Sequence, residues 1–273
     1  MKKYSFWTVS ILLLTVTLPA MSWISVKGSK AQLAAEKYNN TTKQENLTAI
    51  TYSSNELFDQ YVSNIYNEAK LGTSGLDVAV FKKAVLGYYN FKKAALVSAD
   101  NAVITIVDFN KSSRSKRLWI VNLDKKQLLF NTLVAHGQGS GDDMAQNFSN
   151  IENSHQSSLG FYITSDIYYG KHGQSLKLNG MDKGYNSNAN HRAVVVHGAS
   201  YVSQDFINVH GRLGRSHGCP ALPQELTAAI IQTIKGKTCL YINKSDSKYS
   251  SDYLNPSLIA ELFPSSTSLQ ASL

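Results

Sequence analysis

The sequence predicts a mainly β chain of the α+β class, with a small helical layer ahead of the strands. Three observations carry that reading. From Ala102 to about Asn243, short segments rich in Val, Ile, Leu and Phe alternate with polar, Gly-containing turns, as strands and their connections do. Before them, Leu57, Tyr61, Ile65 and Ala69 recur at helical spacing, as one apolar face of a helix. The composition, 43% hydrophobic and 17% charged over 273 residues, is that of a globular chain and not of a disordered one.

In chain order, residues 1–22 come first. Lys2 and Lys3 precede an apolar run from Phe6 to Leu18, followed by Pro19 and the small residues Ala20 and Ser22. This is the pattern of a secretory signal peptide. An uncleaved anchor is the alternative, although the run is short for a full membrane span. Either way the folded part is expected to be exported, to the periplasm or cell envelope, with the membrane as a partner only if the segment stays attached. Residues 23–51 are polar and read as a linker. Residues 52–100 hold the first helix and a second one marked by Phe81, Ala84, Val85 and Tyr88. The strand-rich region, 101–244, opens with "AVITIVDFN" and "RLWIVNLDKKQLLFNTLVAHG", in which "NLDKKQ" is a hairpin connection. "AVVVHG" is a nearly unbroken β-branched run, as in a strand buried on both faces. Leu226, Ile230 and Ile234 mark a helix that starts at Pro223 and ends at Gly236, and Thr238 to Asn243 reads as the final strand. Residues 245–273 form a Ser-rich tail whose "LIAELF" patch is expected to dock as a helix.

The formal net charge is +8, which suits an anionic partner. The basic residues are scattered and form no block, so nucleic acid is not an expected partner. Two cysteines occur, Cys219 and Cys239. An exported pair invites a disulfide, but a chain of this length does not need one. Cys239 lies in the apolar run "KTCLYIN", where cysteine behaves as a small hydrophobe. Cys219 lies among Gly, His and Pro and calls for a different explanation.

A thiol attacks only as its thiolate, so a reactive cysteine needs a base or a field that favours the anion. His197, His210 and His217 lie upstream of Cys219, and a helix is expected to begin just beyond it, at Pro223. His197, at the end of a buried strand, has the most rigid mount; His210 and His217 remain alternative bases. Gly218 lets the backbone approach a substrate, and the Gly218 and Cys219 amides are candidate donors to an oxyanion. Arg212 and Arg215, on a Gly-flanked loop, can hold a carboxylate in a fork.

His197-Gly198 at a strand end, then a loop, then Ser216-His217-Gly218-Cys219, resembles the murein L,D-transpeptidase catalytic domain family of bacterial cell-wall enzymes. "SSLGFYIT" and "KHGQSLKLNGMD" before "HRAVVVHG" fit the same likeness, which spans roughly Ala102 to Asn243. The resemblance implies a β-sandwich or barrel catalytic domain with a short helix after the cysteine. It implies Cys219 as nucleophile, His197 as general base, and Gly198 orienting the imidazole through its carbonyl. Gly218 and Cys219 amides, with His217, would form the oxyanion hole. Pro220 and Ala221 stand where many members carry Arg or Asn, so Arg215, Arg212 or Arg192 would supply the cation. Ser216, His210 and His172 join them as substrate-binding candidates. The implied reaction is transpeptidation on peptidoglycan tetrapeptide stems through a Cys thioester, with loss of D-alanine and no cofactor. The acceptor could be an amine, water or an envelope-protein lysine.

Blander readings stand beside this one. His191, His197, His210 and His217 crowd near Cys219, so a zinc-dependent hydrolase is a rival, but their spacings match no common ligand pattern and no metal site is expected. A non-catalytic wall-binding module is the other rival, and the presence of both nucleophile and base argues against it. His136-Gly137-Gln138-Gly139 reads as a plain turn or, by the family likeness, as a loop near the site; His155 reads as a surface residue, and Tyr168, Tyr169 and Tyr185 as packing.

Overall fold

The computed structural model of the protein describes residues 47–271. The expected signal peptide and most of the expected linker lie outside these residues. In order, the described chain forms β1 (Leu47–Tyr52), α1 (Ser54–Glu68), α2 (Val78–Lys93), β2 (Val103–Asp108), β3 (Leu118–Asn122), β4 (Gln127–Thr132), β5 (Gly160–Gly170) and β6 (Gly173–Gly180). It continues with β7 (Val195–Ala199), α3 (Gln204–His210), β8 (Ala221–Pro223), α4 (Gln224–Ile234), β9 (Cys239–Asn243), α5 (Ser257–Leu262) and β10 (Ser266–Ala271).

Eight strands form one mixed sheet in the order β4-β3-β2-β9-β5-β6-β7-β8. The β2–β9 and β7–β8 pairs are parallel; the other neighbours run antiparallel. The chain leaving β4 at one edge bridges to the opposite edge, Ala135 to Ala221 and Gly137 to Ser216, so the sheet wraps nearly into a barrel. β1 and β10 make a separate antiparallel pair.

Side chains alternate across a strand, and here both faces are covered. Ile104 and Ile106 of β2, Trp119 and Val121 of β3, Phe161 and Ile163 of β5, and Cys239 and Tyr241 of β9 face a cluster shared with α1, α2 and the C-terminal segment. Val103, Val107, Leu118, Ile120, Tyr162, Leu240 and Ile242 face the opposite cluster, which Ile230, Ile231 and Ile234 of α4 close. Burial on both faces is why these strands read as continuous apolar runs. It also joins residues 52–100 to the strand region: one apolar core crosses the boundary that composition placed at residue 101.

Three local expectations are corrected. On α1 and its C-cap, Ile65 and Ala69 are buried as expected, but Phe58 and Val62 complete the buried face in place of Leu57 and Tyr61, which are half-buried. Residues 47–51, placed in the linker, together with Tyr52 form a strand that pairs with the tail, so Asn243 does not end the last strand. The helix after the cysteine starts at Gln224, behind the short strand β8. The "LIAELF" patch docks through Leu258 and Ile259 of α5, and buried Asp182 accepts hydrogen bonds from Tyr249 and Ser251 of the tail at 2.7 and 2.6 Å. Among the described residues no helix is long and apolar enough to cross a membrane.

Candidate active site

His197 sits on β7 with Ser175 of β6 opposite it on one side and Ala221 of β8 on the other. It is only 2% exposed. Its Nδ1–H donates to the Gly198 carbonyl at 2.9 Å, which leaves Nε2 as the basic nitrogen. Gly198 is required by packing: a Cβ there would lie 2.5 Å from Thr227 Oγ1 of α4. The ring of His172 stacks on that of His197, with centroids 4.2 Å apart and planes 23° from parallel. His172 is exposed at the tip of the β5–β6 hairpin, where Gly170 pairs with Gly173. Burial pushes the His197 imidazole below its ordinary value; the Gly198 carbonyl opposes this, while His172 and Lys171 add to it. The ring is therefore neutral near pH 7.

Cys219 lies in the turn between Ser216 and β8. Ser216 Oγ donates to the Cys219 carbonyl at 2.6 Å and accepts the Gly218 N–H at 3.0 Å. Gly218 has φ +120°, and a Cβ on it would lie 2.7 Å from the Gln156 carbonyl, so no larger residue fits. Cys219 Sγ accepts from the Val195 N–H at 3.4 Å and faces the Ala193 carbonyl at 3.7 Å. Burial raises the thiol above its ordinary value, offset in part by the Val195 N–H, Arg192 and Lys171. Both cysteines are free. Cys219 and His197 line one cleft of about 510 Å³, together with Tyr168, Lys171, His172, Arg192, Tyr201, Arg215, Ser216 and His217.

A buried cation braces this turn. Arg117 is fully buried and donates to the carbonyls of Val134 and Lys111 and, at 2.7 Å, to His136 Nδ1. It also lies 4.8 Å above the Phe109 ring. With Nδ1 an acceptor, His136 Nε2–H donates to the Gly141 carbonyl at 3.3 Å. Burial holds Arg117 down at about 9, still charged at neutral pH. Burial and the Arg117 charge hold His136 down at about 4. The His136 carbonyl accepts the Ser216 N–H at 3.0 Å, and the Gln138 N–H donates to the Ser216 carbonyl at 2.8 Å. Arg117, His136 and Ser216 thus form a chain of contacts ending at Cys219.

The other expected site residues divide. His217 is exposed at the cleft and stacks on His155 at 4.2 Å. Arg215 lines the cleft but donates to Asp142 Oδ1 at 2.8 Å and the Gly141 carbonyl at 3.0 Å. Arg192 lines it too, yet its fork holds the 149–158 loop through Ser149, Ser154, Gln156 and Ser158. Arg212 lies outside the cleft, donating to the Leu213 carbonyl at 2.7 Å. His210 is also outside: it ends α3, against Phe206, and is not in a loop. Gly218, expected to give its N–H to an oxyanion, already gives it to Ser216, whereas the Cys219 N–H makes no hydrogen bond to another described residue. Among the described residues no three metal-ligating side chains gather into a cage. Sequence reasoning passed over Lys171, Tyr201, Ala193 and Val195. Lys171 carries a signal, since it stands beside His172 in "GKHG"; the other three act through position alone.

The fold thus holds a thiol and an imidazole in one cleft, and comparison of the sequence shows which family carries it. The L,D-transpeptidase catalytic domain family matches residues 72–243, and the chain belongs to that family. The match begins ahead of Ala102 and takes in α2, in accord with the shared core. No curated protein matches the sequence. Among solved structures, an L,D-transpeptidase from Mycobacterium smegmatis is similar at 11% identity and TM-score 0.33, over 52% of this chain and 59% of that one. One from Stackebrandtia nassauensis is similar at 11% identity and TM-score 0.33, over 62% and 69%. One from Mycobacterium tuberculosis H37Rv is similar at 12% identity and TM-score 0.32, over 52% and 58%. The chain spans under two thirds of the first and third of these.

Proposed function

We propose that the protein is an exported cysteine L,D-transpeptidase that acts on peptidoglycan tetrapeptide stems. One observation carries the reading: a thiol and a neutral imidazole, tautomer set by Gly198, share a single cleft. Family membership supports the reaction class, and the Lys-then-apolar start of the chain supports export.

In the first step His197 Nε2 takes the Cys219 proton as Sγ adds to the carbonyl of the stem's diamino acid. The Cys219 N–H faces the developing oxyanion. The C–N bond to the terminal D-alanine breaks, the imidazolium returns its proton to the departing amine, and a thioester remains. In the second step an amine of another stem attacks the thioester, His197 accepts its proton, and the thiol is restored. The product is a link between two diamino acids. The resting pair is neutral on both sides, because burial raises the thiol and lowers the imidazole. In this reading the imidazole takes the proton in the step in which Sγ attacks. Lys171, which has no ion-pair partner among the described residues, supplies the positive charge for the substrate's terminal carboxylate, because Arg215 and Arg192 are already engaged.

The test is incubation with tetrapeptide muropeptides and identification of products by mass. Cross-linked dimers with free D-alanine support the transferase. Tripeptides alone would recast it as a carboxypeptidase, and a stem joined to an added envelope protein would make it an anchoring enzyme. No acyl-enzyme and no product would sink the proposal.

A further inference from the structure

A second cavity, of about 230 Å³, opens beside the catalytic cleft. The two share Tyr168, Ala193 and Val195 as walls. Ala193 and Val195 are the residues whose backbone groups touch Cys219 Sγ, so the cavity begins where the thiol ends. Its inner wall is apolar, from Leu178, Val194 and their neighbours, while Lys177 and Asn190 stand at its polar side. Lys177 has no ion-pair partner among the described residues; its ammonium lies 5.9 Å from the centroid of the Tyr168 ring. Asn190 donates through Nδ2 to Asn179 at 2.9 Å, which leaves its Oδ1 to accept.

The geometry points to this cavity as the subsite for the side chain of the acyl-donor diamino acid, with Lys177 selecting side chains that end in a carboxylate. The inference rests on the proposed transpeptidase reading and adds the substrate class. When Sγ bonds the donor carbonyl, the diamino acid's Cα is one bond from the thioester carbon. Two branches leave that Cα beside Ala193 and Val195, the stem nitrogen and the side chain, and the apolar wall suits the side chain. Methylenes suit the apolar wall. A terminal carboxylate would take a charge-assisted bond from Lys177, and a terminal ammonium would be accepted by Asn190. A diamino acid that carries a second carboxylate meets both groups, whereas one that ends in an amine alone places like charge against Lys177. Unpaired and beside Tyr168, Lys177 is a specificity residue that touches no reacting atom.

The experiment measures thioester formation by intact mass, in the absence of any acceptor. Three synthetic tetrapeptides serve as donors: a side chain ending in amine and carboxylate, the same with the carboxylate amidated, and one ending in amine only. For the unaltered protein, kcat/KM for acylation should be about tenfold or more higher for the carboxylate donor than for its amide, the factor expected of one charge-assisted contact. Lys177→Met should bring that ratio close to one, Lys177→Glu should invert it, and Lys177→Arg should keep it. Lys177→Met retaining the full preference, or no preference in the unaltered protein, overturns the inference while acylation itself upholds the functional reading. No thioester with any of the three donors overturns the functional reading, and this inference with it.

Discussion

Cys219 and Cys239 are the same residue in two settings, and the contrast shows what makes a thiol usable. Cys239 lies on β9 opposite Ile104 and Ile163, fully buried in the core cluster that α1 and α2 cover. Burial drives its thiol far above the ordinary range, with Asp182 adding to the effect and nothing opposing it. Burial raises Cys219 too, but there the Val195 N–H, Arg192 and Lys171 all work against the shift, and His197 shares the cleft. Both thiols lose water. Only one gains partners that favour the anion and a base to receive its proton.

The sharpest test of that contrast is to remove each sulfur in turn. Cys219→Ala should abolish acyl-enzyme formation, read by intact mass, with the fold retained. Cys239→Ala should leave acylation within about twofold and instead cost on the order of 1–2 kcal/mol of stability by urea unfolding, the expense of a small void in a packed core. Acylation that survives in Cys219→Ala, or vanishes in a folded Cys239→Ala, would break the comparison. The next effect is smaller. His197→Ala should slow acylation by about 10²–10⁴, the span typical of a lost general base. A rate within tenfold of the unaltered protein would move the base role to His172 or His217, the other imidazoles at the cleft.

The difference between the two cysteines was legible in the sequence because each local setting states its physics. An unbroken apolar run such as "KTCLYIN" has nowhere to go but a strand buried on both faces. A Gly-His-Pro neighbourhood has no packing reason to hold a thiol. The strand region and the buried face of α2 were legible on the same grounds, since periodicity reports burial. What was hidden depends on partners far along the chain. On the α1 stripe Ile65 and Ala69 were legible, but Phe58 and Val62 hold the rest of the buried face, while Tyr61 is half-buried with the Phe263 ring of the tail 5.4 Å from its own. β1 pairs with β10, more than two hundred residues away along the chain, and neither run announces that partner. α3, held by the Ser203 cap, interrupts what read as loop. In the candidate site, the thiol, the imidazole and its neighbouring glycine stood out as residue types. Arg117 did not, because its meaning comes from being buried against His136. Arg192 and Arg212 looked free because a sequence does not show which carbonyls have claimed a guanidinium.

Arg117 and His136 supply the finest test, because the Cys219 turn leans on a buried titratable pair. His136 has an ordinary value of 6.5 and is held near 4 in the folded protein. Between those two values the unfolded chain binds a proton that the folded one refuses. Stability therefore falls as pH drops through that window and levels off below about 4. The loss from this group is on the order of 1 kcal/mol at pH 5.5 and reaches a few kcal/mol once both states are protonated. Burial lowers His197 as well, which adds to the loss in the same direction. Urea midpoints of the unaltered protein should thus decline from pH 7 to pH 5.5, and the decline should flatten in His136→Gln, which has no proton to take up. An equal slope in both proteins would show that acid acts elsewhere. A flattened slope in His136→Gln, with the steeper decline kept in His197→Ala, would place the acid-sensitive brace behind Ser216 and Cys219.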